Sequence, residues 1–134
     1  MLHFPRVVQH QKCATRGEPF DICDEGWLAD SPDGGFFFGP LLNGNSIGAT
    51  PNENVAFFDR PRYNRRIERI SRLTGWERAA AWADLDLDMT REDPPWASYQ
   101  TFATRDFVSK RFGCYLYHPV MGIDLAAACI ASEP

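Results

Sequence analysis

Asp84, Asp86 and Asp88 alternate along the chain as they would at the opening of a calcium loop, where carboxylates on a tight turn converge on the ion. The rest of that pattern fails: the required glycine falls on Met89, the closing glutamate falls on Pro95, and the flanking residues read as continuous helix. A solvated acidic helix face is the better reading. Arg62, Arg65, Arg69 and Arg72, at i, i+3, i+7 and i+10, form a basic stripe of a kind that meets phosphate or an acidic partner. In a chain of formal net charge -4 it reads instead as a solvated face balanced by Glu68, Glu77 and the aspartates of the next helix. His3, His10 and His118 lie far apart and share no spacing with cysteines or carboxylates. Cys13, Cys23, Cys114 and Cys129 lack the close pairs of zinc and redox sites, which leaves buried thiols or disulfides. No nucleophile elbow, phosphate-binding loop, dinucleotide fingerprint or paired-histidine zinc motif is present. The sequence therefore offers an enzyme no nucleophile and implies no cofactor and no metal.

The best candidate for recognition chemistry is Gly26-Trp27-Leu28-Ala29-Asp30, where an apparent strand ends in a large aromatic and a carboxylate beside turn residues. A tryptophan gives a flat apolar wall, and an aspartate at a strand end neutralises an ammonium group, a pairing suited to a small ligand. Taken by itself, an ordinary core tryptophan with an aspartate helix cap is the plainer reading of the same residues.

The elements that must hold these residues follow from periodicity. Residues 4–8 read as extended and 9–15 as a small helical turn, punctuated by Gly17 and Pro19. Apolar and polar residues alternate over 20–24, predicting a half-buried strand that runs on toward Trp27. The turn-forming run 30–35 predicts a short helix begun by Asp33 or Asp30 and carrying Phe36, Phe37, Phe38 and Leu41. Residues 43–54, rich in Gly, Asn and Pro, predict an exposed, mobile loop. Two helices are expected next. One lies near 61–73, with Tyr63, Ile67, Ile70 and Thr74 on one face. The other lies near 76–91, with Trp76, Ala80, Ala83 and Leu87 on one stripe and Trp82, Leu85 and Met89 on a second. Thr74-Gly75 supplies the stop between them, and Pro94-Pro95 ends the second. Strands are expected over 96–102, 107–108 and 114–117, and the tail 124–130 reads as a short helix capped by Asp124 or a final strand.

At 134 residues and 44% hydrophobic content the chain has the length of one domain and enough apolar surface for a core. The acidic balance argues against a nucleic-acid partner, whose phosphates are neutralised by Lys and Arg. No apolar run approaches a transmembrane segment, and residues 1–11 lack the apolar core of a signal peptide, so the chain as written is expected to stay where it is made, in the cytoplasm.

Phe20-Asp21-Ile22 followed by Gly26-Trp27-Leu28-Ala29-Asp30-Ser31-Pro32-Asp33 resembles the "FDI…GWxADYxDP" signature of family 5 solute-binding proteins, the dipeptide, oligopeptide and nickel receptors of ABC importers. Phe58-Asp59-Arg60-Pro61, the helix opening Tyr63-Asn64, Asp93-Pro94-Pro95-Trp96 and Phe107-Val108-Ser109 follow in an order similar to that family, so the likeness runs from about residue 4 to residue 130. The sequence departs from it at Ser31, where tyrosine is usual, and at Gly34, where proline usually follows the second aspartate. The resemblance implies the C-terminal lobe of a longer two-lobed receptor, with a tail of about 107–134 returning toward a first lobe that lies outside these residues. It further implies capture of a peptide or other small solute for a membrane permease, with Asp30 pairing the ligand's amino terminus and Trp27 beside the cleft. Because that family is exported, it implies a disulfide between Cys114 and Cys129 and an extracellular or periplasmic setting for the full receptor.

The expected fold class is α+β with an α/β-like character: one partial domain over 1–134, a few strands flanked by helices, without catalysis. The competing expectation is a stand-alone interaction domain using Trp27 and the cluster Phe36, Phe37 and Phe38 as its contact surface. A hydrolase built on Asp30 or His118 stands third.

Overall fold

Pro5, with φ of -53°, presets the backbone for a helix start, and α1 (Arg6–Cys13) follows directly, its first turn closed by Gln9 N donating to Pro5 O. The extended stretch expected over 4–8 is therefore helical from Arg6 onward, while Phe4 lies outside the described residues. The structure is a computed structural model that describes residues 5–28, 30–48, 52–101, 105–118, 120 and 122–131. It is a small α+β fold of four helices and four short antiparallel strands among those residues. The chain divides into a first unit, Met1–Ala29 with Asp33–Ala97, and a second, Asp30–Pro32 with Ser98–Pro134.

In the first unit, α2 (Gly35–Leu42), α3 (Pro61–Ser71) and α4 (Gly75–Glu92) build the core. Pro61 sits in the first turn of α3, where a missing amide costs no helical hydrogen bond. Tyr63, Asn64, Ile67 and Ile70 form its buried face. On α4 the buried face is Trp82, Leu85 and Met89, at i, i+3 and i+7. The stripe through Trp76, Ala83 and Leu87 lies outward, with Trp76 83% exposed. The sequence carries two apolar stripes on this helix, and the one with the larger, better-spaced side chains faces the core. Phe38 stacks on Trp82 with centroids 5.0 Å apart. Gly34 permits this approach, because a Cβ there would lie 2.7 Å from Trp82 Cγ.

Between α3 and α4, Gly75 adopts the left-handed φ of +58° expected of the stop, and the helices are laced by ion pairs. Arg62 meets Glu92 at 2.9 Å, Arg66 meets Asp88, and Arg60, just before α3, meets Asp93 at 2.7 Å. Half of the basic run is thus answered by α4 and its end, while Arg65, Arg69 and Arg72 face solvent.

The described residues of the loop 43–54 are more ordered than expected. Gly44–Ser46 forms a 3-10 turn, and Asn52 and Asn54 are buried. Asn54 accepts from Phe58 N through Oδ1 and donates to Phe58 O, both at 2.9 Å, so one amide side chain closes the turn as a backbone strand would. This bracket supports Phe57 at φ +48°, a conformation rare outside glycine, and Arg16 lies 4.3 Å over its ring. Asparagine content alone reads as loop; burial turns it into scaffolding. Residues 49–51 lie outside the described residues.

The second unit contains β1 (Phe112–Gly113) paired with β4 (Cys129–Ile130), and β2 (Tyr117–His118) paired with β3 (Gly122–Ile123), all antiparallel. The expected strand 114–117 is replaced by these flanking pairs, since Cys114 at φ +55° breaks the extended run. Residues 105–109 and 97–101 form no ladder, and Phe102 lies outside the described residues. In the tail, Asp124 Oδ1 accepts from Ala126 N at 2.9 Å, which makes a turn before β4, so the strand alternative holds there. No described residue of this unit is fully buried. A disulfide joins Cys114 and Cys129, whose Cα atoms are 5.3 Å apart.

Candidate functional site

The segment expected to be a strand, residues 20–28, forms no ladder among the described residues, yet its alternation is real. Cys23, Glu25 and Trp27 are half-buried, while Phe20, Ile22 and Leu28 are exposed. Each half-buried residue has its own tether. Cys23 is bonded to Cys13 at the end of α1, Glu25 Oε1 lies 3.1 Å from His10 Nδ1, and Trp27 Nε1 donates to Phe36 O at 2.9 Å. The last of these has a local cause. Pro40, four residues beyond Phe36, has no N–H to give the Phe36 carbonyl, and the indole of Trp27 takes the place that the helix leaves open. Trp27 is consequently half-buried against the core rather than free in a cleft.

Asp30 carries an exposed side chain and belongs to the second unit, whereas Trp27 belongs to the first; Ala29 between them lies outside the described residues. Of the two aspartates offered as helix starts, Asp33 takes the role. Its Oδ1 accepts from Gly35 N at 2.7 Å at the head of α2. Its carboxylate also receives Arg78 in bidentate fashion, Nε to Oδ2 at 2.6 Å and Nη2 to Oδ1 at 2.8 Å. The third guanidinium nitrogen of Arg78, Nη1, donates to Ser71 O at 2.7 Å, so one side chain joins the head of α2 to the end of α3. The Arg78 hydrogen bonds hold Asp33 below the usual carboxylate range against the opposing effect of partial burial, with Gly35 N–H adding to them; Arg78 is held above its ordinary value by the same pair.

A carboxyl whose folded pKa is lowered stabilises the fold above its unfolded value and loses that contribution as pH falls through the folded one. The first unit is therefore expected to lose about 1 kcal/mol, the size of a solvent-accessible ion pair, in the window below about pH 4. Thermal melts at a series of acid pH values check this: Asp33→Asn starts less stable and shows a flatter dependence in that window.

Arg78 and the Cys13–Cys23 bond escape sequence reasoning. The one available signal for Arg78 was its position, a cation in the first turn of α4, where the macrodipole disfavours positive charge. Among the described residues no three His, Cys, Asp or Glu side chains gather as a metal site, and no helix is long and apolar enough to cross a membrane.

No protein-family model, curated protein or solved structure matches this chain. The likeness to solute-binding proteins therefore rests on the quoted motifs alone.

Proposed function

We propose that the chain is the C-terminal part of an exported solute-binding protein that captures a peptide or similar small solute for an ABC permease, and that it catalyses nothing. The observation that carries this reading is the second unit. It buries none of its described residues, yet it presents Tyr99, Phe107, Tyr115, Leu116, Leu125 and Ile130 to solvent, Phe107 at 93%. Apolar surface on that scale calls for a covering partner, and in a two-lobed receptor the partner is the other lobe. The unladdered segment 20–28, with Ile22 and Leu28 outward, calls for a neighbouring strand in the same way. Two disulfides suit an oxidising compartment.

In this reading the exposed carboxylate of Asp30 takes the ligand's ammonium group. Titration of the labelled chain with a tripeptide, followed by amide resonances, tests it. A free amino terminus is expected to shift Leu28 and Asp30, whereas the N-acetylated peptide does not, and Asp30→Asn removes the difference. Equal shifts with both peptides would sink the assignment.

A stand-alone interaction domain is favoured by one observation, the ten-residue core that the first unit already owns. A near-ultraviolet circular dichroism melt separates the two. A single cooperative transition covering the whole chain supports the independent domain, and a second unit without fixed packing supports the receptor.

A further inference from the structure

Between α2 and α4 the first unit carries an open groove of about 310 Å³ whose floor is Phe38, Leu42 and Trp82 and whose rims are Phe37 and Trp96. One charged group lines it, Asp86, exposed on α4 one turn beyond Trp82. We propose that this groove binds a small organic ammonium ion, an amine carried on an aromatic or aliphatic body, with the body against the rings and the ammonium at Asp86. The volume stands at the lower end for small-molecule sites, which favours a compact ligand over a peptide. Phe38 stacks on the Trp82 indole, the Arg78 guanidinium lies 5.5 Å from the same ring, and Trp82 is only 4% exposed. The rings left with open surface are Phe37 and Trp96, each partly exposed at the rim. An aromatic face attracts a cation through its quadrupole, and a carboxylate beside it adds a directional partner. Arg78 does not reverse the sign, because its charge is matched by Asp33, which leaves the Asp86 carboxylate as the net charge of the groove. This site is separate from the assignment of Trp27 and Asp30 and does not depend on it.

The probe is phenethylammonium chloride, with phenethyl alcohol as its uncharged analogue of similar shape, titrated into the full chain while the four indole N–H resonances are followed. The expected result is movement of the Trp82 and Trp96 signals with Trp27 and Trp76 unmoved, and about five- to tenfold tighter binding of the ammonium than of the alcohol, the size of one exposed ion pair with a cation–π contact. Asp86→Asn, a change at an exposed position, should abolish that preference and leave the alcohol's binding unchanged; Trp96→Ala should weaken both. Equal affinity for the two probes, shifts spread over all four indoles, or a preference that survives Asp86→Asn would each overturn the proposal.

Discussion

Leu85→Ala is expected to lower the stability of the first unit by about 3–5 kcal/mol, with Tm falling by roughly 15 °C or more. Leu85 is 0% exposed and sits in the cluster formed by α2, α3 and α4, where Ile67, Ile70 and Met89 hold the walls apart and the vacated volume cannot collapse. A loss of that size is a large part of the 5–15 kcal/mol a domain commonly possesses. Leu87→Ala is the control. It removes the same atoms from the same helix two residues away, but Leu87 is half-exposed, and the cost should stay within about 1 kcal/mol. Chemical denaturation of the two variants side by side measures the contrast, and equal losses would mean that α4 is rotated from the phase described.

Breaking the Cys114–Cys129 bond should have an effect of comparable size confined to the other unit. The bridge closes a loop with a sequence separation of 15, worth about 3 kcal/mol in chain entropy. The two-residue ladders β1–β4 and β2–β3 have no buried side chain to add to it. Gly113 is matched to the bridge, since a Cβ there would come within 3.1 Å of Cys129 Sγ. In the Cys114→Ser, Cys129→Ser double variant, hydrogen exchange over 111–131 should accelerate to that of an unstructured chain while α3 and α4 keep their protection. Retained protection over 111–131 would show that the ladders stand without the bridge.

Legibility in the sequence followed the range of the interaction that decides each element. The helices α3 and α4 and the break between them were readable because periodicity, Pro61, Gly75 and Pro94 act within a few residues. The phase of α4 was not, because two apolar stripes compete on it and only the partner helices choose between them. Residues 20–28 show the alternation of a strand, but a strand is completed by a neighbour, and no local pattern can announce whether one is supplied. The candidate site divides in the same way. Trp27 and Asp30 stand out by type and spacing, whereas the Asp33–Arg78 pair spans 45 positions and the groove gathers side chains from 37 to 96.

The hairpin of α3 and α4 also bears on the order in which the molecule assembles. Its partners are near neighbours along the chain, joined by a turn of a few residues, so little loop entropy opposes their meeting. During synthesis from the amino terminus, every residue of the first unit's core precedes residue 98, where the continuous part of the second unit begins. The helical unit can thus condense while the tail is still being made, and the Cys114–Cys129 bond, whose formation is far slower than helix docking, becomes the closing event of maturation.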